Sequence, residues 1–384
     1  MKQVEEIIGM MREALEDPLS FARRNAAAHN RHPIGYFCSY APQELFYAAG
    51  LHPVRVFAPE IETGRADELV QTYACSFARA CLEAGISGLF DFMDGVVFVH
   101  TCDTIQNVAD LWKHRLPHVP AYIISLPNRT DGPAPRKFFR RELERIRREI
   151  EARYAPIPDG LILDTARMYL QHQQLMQDLY ALRRDRPAVL SGYDMFAIVM
   201  AAFFMDRAEH AELVGLLCQA IREGHLEERA DLAGRPRVLV TGSMCSRPHF
   251  MREIEEAGLL VVDDDLCAGS RSFALPSNLA DDPLDLLVEN YLSRRACPAL
   301  HMAAVHPGEA LVNQASKARV DGVIFLQTLS CDPKAFEHPV ESGVLAAAGI
   351  PALTLTVEQH RPLADQFRTR LAAFAELLQA KRSA

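Results

Sequence analysis

The sequence of 384 residues lacks the closely spaced ligand pairs that mark common local metal sites. None of its nine cysteines belongs to a C-x-x-C pair, the spacing of zinc ribbons and thioredoxin-type redox sites. It also has no G-x-x-x-x-G-K-S/T loop to bind ATP phosphates, and V-T-G-S-M-C at 240–245 is not the G-x-G-x-x-G fingerprint of a nicotinamide site. The sequence therefore indicates no local zinc, ATP or nicotinamide site.

Long hydrophobic runs and an excess of positive charge are absent as well. The longest apolar run, F-A-I-V-M-A-A-F-F-M at 196–205, is too short to cross a bilayer and fits a buried helix. The N-terminal residues predict an acidic amphipathic helix without the apolar segment of a signal peptide. The formal net charge of −9 argues against a nucleic-acid surface. We therefore expect a cytoplasmic protein with no membrane or nucleic-acid partner.

The composition is that of an ordinary globular protein, with 49% hydrophobic and 24% charged residues. Residues 1–31 predict an N-terminal helical segment. Residues 32–135 alternate between strand and helix patterns, which predicts a parallel α/β domain. Residues 136–233 are almost wholly helical by pattern, and residues 234–384 return to the alternation of a second α/β domain.

The two predicted α/β domains share a repeated pattern. D-G-V-V-F at 94–98 is followed by Cys102, and D-G-V-I-F at 321–325 is followed by Cys331. The repeat predicts two similar Rossmann-like domains that face each other, each presenting a cysteine at a strand end. After Cys331 the pattern predicts the next helix over 338–349.

Three cysteines come shortly after apolar, β-branched runs. Cys102 follows G-V-V-F-V-H-T, Cys267 follows L-L-V-V-D-D-D-L, and Cys331 follows G-V-I-F-L-Q-T-L-S. Open α/β sheets bind ligands at the carboxyl ends of their strands, so three thiols at such ends suggest a shared inorganic site. Iron–sulfur clusters are held by cysteine thiolates that need not be close in sequence.

The remaining thiols and one histidine have simpler interpretations. Cys218, in an apolar stretch, and Cys81 are expected to be small buried hydrophobic residues. Cys245 is expected to pack beside the site rather than bind metal. His100 lies two residues before Cys102 and could replace a thiolate, although such a histidine is more often a loop residue with a hydrogen-bond partner.

Six segments, in this order and spacing, carry a resemblance to a known family. The segments are GYFCSYAPQELFYAAGLHPVR, CSFARACLEAG, DGVVFVHTCDTIQNVADLWK, RVLVTGSMCSRP, VVDDDLCAGSRSF and DGVIFLQTLSCDPKAFEHP. From about Pro33 to about Leu378, the chain resembles the iron–sulfur subunits of the 2-hydroxyacyl-CoA dehydratase and benzoyl-CoA reductase family. This resemblance implies the same α/β fold, with the two domains facing each other across a cluster site.

The resemblance implies a 4Fe-4S cluster held by Cys75, Cys102 and Cys331. Three thiolates leave one iron open to water or substrate, as in catalytic rather than structural metal centres. The resemblance also implies that Ser39 and Glu44 lie near the substrate, where a hydroxyl and a carboxylate could move protons. For Glu44 the residues alone leave open a plain acid at a helix N-terminus.

One branch of the family, the double-cubane cluster proteins, implies a different cofactor. In that branch one chain supplies six cysteines to an 8Fe-9S double-cubane cluster, and Cys38, Cys267 and Cys297 match the three additional positions. Cys297 has no strong strand pattern before it, and buried thiols are common in proteins. The residues therefore leave both the single and the double cubane open.

The implied function is that of an enzyme subunit handling single electrons. It would receive low-potential electrons from a separate ATP-dependent iron–sulfur activator and pass them to an acyl-CoA thioester, for radical dehydration or ring reduction. The first alternative is a homodimeric double-cubane protein that reduces small molecules without CoA. The second is a non-catalytic electron-transfer subunit paired with a catalytic homologue. The implied partner is a homologous subunit or a second copy of this chain.

Overall fold

A computed structural model of the chain describes residues 2–57, 60–245, 247, 249–276, 279–295, 297–302, 305–359, 361 and 365–383. The strands of this described part are β1 (His32–Tyr36), β2 (Leu51–Arg55), β3 (Val96–His100), β4 (Ala121–Ser125), β5 (Arg237–Gly242), β6 (Leu260–Asp265), β7 (Gly322–Thr328) and β8 (Ala352–Val357).

These strands form two four-stranded sheets with the same topology. Their orders are β2-β1-β3-β4 and β6-β5-β7-β8, and every pairing between neighbouring strands is parallel. Parallel strands need a crossover connection, and helices supply it here. The predicted α/β fold with two Rossmann-like units is therefore confirmed.

The helices of the described residues are α1 (Lys2–Glu16), α2 (Pro18–Ala28), α3 (Gln43–Ala48), α4 (Gly64–Asp67), α5 (Ser76–Ile86), α6 (Asp103–Arg115), α7 (Pro133–Arg153), α8 (Asp159–Asp185), α9 (Gly192–Ala201), α10 (Arg207–Arg222), α11 (His249–Glu256), α12 (Pro283–Leu292), α13 (Pro307–Lys317), α14 (Asp332–Ala347) and α15 (Asp365–Ser383). A short 3-10 helix covers Ser270–Phe273.

The central strands are buried on both faces. All of V-V-F-V in β3 and the first five residues of β7 are buried, the pattern of parallel strands covered by helices on both sides. One hydrophobic core is continuous between the units and includes Phe98 of β3 and Val240 of β5. Helix α8 packs against both α3 and α12. The core and α8 therefore hold the strand ends of both sheets in a fixed relation.

The apolar run at 196–205 is buried, as predicted. It covers most of α9 and the turn that follows it, and every residue of α9 is buried. Among the described helices, none is both long and apolar enough to cross a bilayer.

Two parts of the helix prediction differ from the structure. Helix α14 begins at Asp332, six residues before the predicted start, because Pro333 occupies the first turn, where a proline is tolerated. The structure also contains α13, which the sequence patterns did not predict. Its buried residues are only Gly308, Leu311 and Ala315, too few to produce a clear helical pattern.

Candidate functional site

The nine cysteines fall into two groups by exposure. Six are half-buried: Cys38, Cys75, Cys102, Cys267, Cys297 and Cys331. The other three, Cys81, Cys218 and Cys245, are fully buried, as predicted for Cys81 and Cys218. The half-buried group consists of the six cysteines that the sequence analysis named as candidate ligands. We call Cys75, Cys102 and Cys331 the first trio, and Cys38, Cys267 and Cys297 the second trio.

Each cysteine of the first trio immediately precedes a helix. Cys75 is the N-cap residue of α5, Cys102 of α6 and Cys331 of α14. The first backbone N–H groups of a helix have no partner within it, and the helix dipole makes this end favourable for negative charge. Cys102 and Cys331 follow β3 and β7, which hold the same place in the two sheets. Three helix starts therefore favour a thiolate or another anionic group.

A backbone hydrogen bond joins the two units at the first trio. Ser76 N donates to Leu329 O at 3.3 Å, connecting the residue after Cys75 to the loop that precedes Cys331. Ser330 has a φ of 60°, in the left-handed region that non-glycine residues rarely adopt. This sharp turn changes the chain direction immediately before Cys331.

The second trio is joined by side-chain hydrogen bonds between the units. Cys38 comes two residues after β1 and Cys267 two residues after β6. Ser39 Oγ donates to Cys267 O at 2.7 Å. Arg294 Nη1 donates to Ser39 O at 3.1 Å, and Arg294 lies three residues before Cys297. The three cysteine segments are thus tied together through Ser39, one of the predicted site residues.

The thiols of the first trio lie in one electrostatic neighbourhood. The pKa of Cys75 is raised to about 12, mainly by burial, with a smaller contribution in the same direction from the charges of Cys331 and Cys102 and an opposing one from the backbone amide of Ala78. Burial also raises the pKa of Cys102, and Cys331 contributes in the same direction. Cys75 and Cys102 are therefore each affected by other thiols of the first trio.

Cys38 and Cys297 of the second trio are also affected by neighbouring thiols. The pKa of Cys38 is raised to about 11, mainly by burial, while Arg55 opposes this shift and Cys267 and Cys102 contribute to it. Burial also raises the pKa of Cys297, with Cys38 and Cys267 contributing. The interaction between Cys38 and Cys102 shows that the two trios adjoin. A metal that bound these thiols would displace their protons.

Arg55 is a buried cation beside the second trio that the sequence analysis missed. It is the last residue of β2 and has no solvent exposure. Its Nη2 donates to Cys267 Sγ at 3.4 Å and its Nη1 to Ser39 Oγ at 2.8 Å. The available signal was a charged residue within the apolar run L-H-P-V-R-V-F, because a buried arginine requires a partner.

Glu44 lies deep in the protein rather than at an exposed helix end. It belongs to the short helix α3 and is fully buried. Its carboxylate accepts hydrogen bonds from Tyr291 Oη at 2.6 Å and Asn290 Nδ2 at 3.1 Å. Burial raises the pKa of Glu44, while the Tyr291 bond and the charge of Arg294 oppose the shift. Arg294 connects this carboxylate to the second trio through its bond to Ser39.

The half-buried thiols are soft donors, the kind that an iron–sulfur group requires. Within the described residues, no three His, Cys, Asp or Glu side chains converge as they would around one metal ion. In a cubane each thiolate binds a different iron, so its ligands surround a group instead of meeting at a point. His100 is half-buried, and its charged neighbours are Asp110, Lys113 and Glu142. Soft thiols at helix starts are thus the donors available for an iron–sulfur group.

A family model matches most of the chain. The model for the 2-hydroxyglutaryl-CoA dehydratase D-component matches residues 38–378, a span that includes both trios, Ser39 and Glu44.

Full-length relatives of known name are similar at low identity. The (R)-phenyllactyl-CoA dehydratase beta subunit of Clostridium sporogenes is 24% identical over 98% of this chain and 100% of its own length. One of the subunits of the benzoyl-CoA reductase of Thauera aromatica is 26% identical over 95% of this chain and 96% of its own length. The beta subunit of the (R)-2-hydroxyglutaryl-CoA dehydratase of Acidaminococcus fermentans is 25% identical over 91% of this chain and 93% of its own length.

Proposed function

The chain belongs to the family of the 2-hydroxyglutaryl-CoA dehydratase D-component, and on that premise we propose that it is the iron–sulfur subunit of an enzyme of the dehydratase and benzoyl-CoA reductase type. It would take low-potential electrons from an ATP-dependent iron–sulfur activator and pass them to an acyl-CoA thioester. The observation that carries this proposal is the first trio, three half-buried thiols at the starts of helices from both units. The names of the relatives support the acyl-CoA substrate class.

The first trio would hold a 4Fe-4S cluster. When bound, that cluster would supply single low-potential electrons to a thioester carbonyl or an aromatic ring. The N-terminal ends of α5, α6 and α14 would stabilise negative charge at the site. Three protein ligands would leave one coordination position open for substrate or water.

We assign the handling of protons to Glu44 and Ser39. In dehydration the departing hydroxyl must gain a proton to leave as water, and in ring reduction two protons accompany each pair of electrons. The raised pKa of the buried Glu44 carboxyl keeps its proton available to a higher pH than usual. The Tyr291 hydroxyl, which is 2.6 Å from Glu44 Oε2, could pass that proton on. The Ser39 hydroxyl lies beside Cys267, at the edge of the thiol site.

We also propose that the chain works in a dimer, with a homologous subunit or a second copy of itself. The relatives are named as subunits, which supports such an assembly. In a dimer with a catalytic homologue, this chain could act only in electron transfer.

A second candidate function rests on the second trio. Cys38, Cys267 and Cys297 are as half-buried as the first trio, and Cys38 interacts electrostatically with Cys102. Adjoining sets of three thiols are the donors that an 8Fe-9S double-cubane cluster would need. With that cofactor the protein would be a homodimer that reduces small molecules without CoA.

The test uses full-length protein reconstituted with iron and sulfide under anaerobic conditions and reduced with titanium(III) citrate. We expect the electron paramagnetic resonance signal of the reduced cluster to change when (R)-2-hydroxyglutaryl-CoA or benzoyl-CoA is added. Cys102→Ala should lose the signal, whereas the matched control Cys218→Ala, a buried thiol on α10, should keep it. A cluster whose spectrum responds to neither thioester would overturn the acyl-CoA proposal and favour the double-cubane candidate.

A further inference from the structure

We propose that Arg55 is the internal counter-ion of the anionic metal–sulfur group at the cysteine site, and that its charge raises the potential at which this group is reduced. The inference rests on the metal–sulfur site proposed above and adds to it a residue that binds no metal itself. Four observations carry it: the burial of the guanidinium, the atoms to which it donates, two donors at the same site without an acceptor, and a contrast with two other arginines.

The guanidinium of Arg55 is confined in apolar surroundings. Arg55 has no solvent exposure, and its Cζ lies 5.5 Å from the ring centre of Tyr36 and 5.8 Å from those of Phe57 and Phe203. Its backbone N donates to Phe203 O at 3.0 Å. A charge in such surroundings acts strongly on its neighbours, because little water is present to screen it.

The guanidinium of Arg55 donates to a thiol and a hydroxyl instead of a carboxylate. Its Nη2 donates to Cys267 Sγ at 3.4 Å and its Nη1 to Ser39 Oγ at 2.8 Å, and it forms no ion pair with a carboxylate of the described residues. A guanidinium does not lose its proton in proteins, so the buried charge needs an anion nearby. Thiolates that bind metal, or the sulfides between the metal ions, would supply that anion.

Two buried donors at the second trio have no acceptor. Arg55 Nε and Tyr40 Oη have no acceptor within the described part of the chain, and the backbone amide of Cys297 acts on the Tyr40 oxygen as a donor. Tyr40 interacts electrostatically with Cys297 and Cys38, so it lies at the same trio as Arg55. A buried donor without a partner is costly. A sulfur-rich anion among these thiols would accept from both groups.

Two other buried arginines donate to oxygen atoms instead of sulfur. The Arg183 guanidinium donates to the carbonyl oxygens of Leu190 and Val261. Arg271 forms a two-point ion pair with Asp265, with distances of 2.7 and 2.6 Å. Arg55 differs from both because its guanidinium donates to a cysteine sulfur.

The first experiment measures the midpoint potential of the reconstituted full-length protein by a redox titration followed by electron paramagnetic resonance. We expect Arg55→Gln to lower the potential by at least about 59 mV, a tenfold change in a one-electron equilibrium, because a positive charge that favours the reduced state is lost. Arg55→Lys keeps the charge and should restore most of the potential. The matched control Arg183→Gln removes a buried arginine elsewhere and should leave the potential unchanged.

The second experiment needs neither a variant nor a cluster. In the metal-free wild-type protein, we measure the rates at which iodoacetamide alkylates individual cysteines at pH 8, by mass spectrometry. Cys267, which accepts a hydrogen bond from the guanidinium, should react faster than Cys75, a half-buried cysteine whose main electrostatic neighbours are the thiols of Cys331 and Cys102, because the cation favours the reactive thiolate. This measurement remains decisive if Arg55→Gln fails to fold.

The two experiments separate failure of this inference from failure of the proposed function. If the wild-type protein binds no iron, the proposed function fails, while faster alkylation of Cys267 would still identify Arg55 as the counter-ion of the thiols. If iron binds but Arg55→Gln leaves the potential unchanged, or if Cys267 reacts no faster than Cys75, the role of Arg55 is overturned and the iron–sulfur function stands.

Discussion

The last residues of β2 and β6, Arg55 and Asp265, hold corresponding positions in the two sheets and carry opposite charges. Both are fully buried. Asp265 accepts hydrogen bonds from Arg271 at 2.7 Å and from Thr241 at 2.9 Å, and Arg295 lies 2.7 Å from its Oδ1. The guanidinium of Arg55 donates to Ser39 Oγ and to Cys267 Sγ in the other unit.

This difference shows that the buried charges at these two strand ends have different kinds of partners. Burial alone would raise the pKa of Asp265, yet Arg271 and Arg295 hold it well below its usual value. The second unit thus compensates its buried charge internally. The first unit presents a buried cation to the cysteines, and this cation is the proposed counter-ion of the anionic group. The following predictions test this contrast, beginning with the largest expected effect.

Removing the charge of Asp265 should destabilise the protein strongly. Asp265→Asn leaves Arg271 and Arg295 without their shared buried anion, and breaking a buried ion pair on one side costs about 3–5 kcal/mol. Urea unfolding at pH 7 measures this loss. Asp231→Asn, which alters an exposed pair with Arg229, is the control and should leave the free energy of unfolding close to wild type. A wild-type result for Asp265→Asn would show that the second unit does not depend on this compensation.

The buried carboxylates of the two units should respond to pH in opposite directions. The folded pKa of Asp265 is lowered, so its carboxylate stabilises the folded protein at pH values above the unfolded pKa of about 3.9, and this stabilisation is lost as the pH falls. The folded pKa of Glu44 is raised, so its contribution to stability is fully present below the unfolded pKa of about 4.3 and is lost as the pH rises. Relative to wild type, Glu44→Gln should therefore gain stability as the pH rises above about 4.3, by up to about 1.4 kcal/mol for each pH unit. Unfolding curves between pH 4 and 8 measure this gain, and parallel curves for variant and wild type would contradict it.

Replacing Arg55 should have little effect on the metal-free protein, in contrast to Asp265. Arg55→Met removes a buried charge that no carboxylate balances. We therefore expect the free energy of unfolding either to increase or to decrease by no more than about 1 kcal/mol. Thermal and urea unfolding of cluster-free protein measure this change. A loss as large as that of Asp265→Asn would mean that Arg55 is a structural residue and that the contrast between the units is wrong.

Tyr40 should give the smallest effect. Tyr40→Phe removes a hydroxyl that has no acceptor within the described residues, so the stability of the metal-free protein should stay within about 0.5 kcal/mol of wild type. In the reconstituted protein, the loss of a hydrogen bond to a cluster should lower the midpoint potential slightly. A clear loss of stability without metal would indicate a partner for this hydroxyl inside the protein.

Much of the fold was predictable because its signals are local. An apolar run followed by an amphipathic segment predicts a strand and its crossover helix, and both sheets arise from such repeats. The start of α14 was predicted too late because Pro339 lies inside this helix, where a proline usually interrupts the pattern. Helix α13 buries too little apolar surface to be recognised.

The cysteines could also be named from the sequence, since Cys102, Cys267 and Cys331 follow strand patterns. The contacts between the units could not be predicted, because they join residues far apart in sequence. Arg55 and Cys267 are separated by 212 positions and Glu44 and Tyr291 by 247. Local patterns hold no information about such pairs, so the environment of Glu44 and the role of Arg55 required the structure.

The measurement that tests the account most directly is the content of iron and acid-labile sulfide per chain in protein purified and reconstituted anaerobically. We predict about four irons per chain, lost in Cys75→Ala, Cys102→Ala and Cys331→Ala and retained in Cys218→Ala. About eight irons, with an additional dependence on Cys38, Cys267 and Cys297, would establish the double-cubane candidate. Absence of iron after reconstitution, or iron that persists in Cys102→Ala, would contradict the iron–sulfur site.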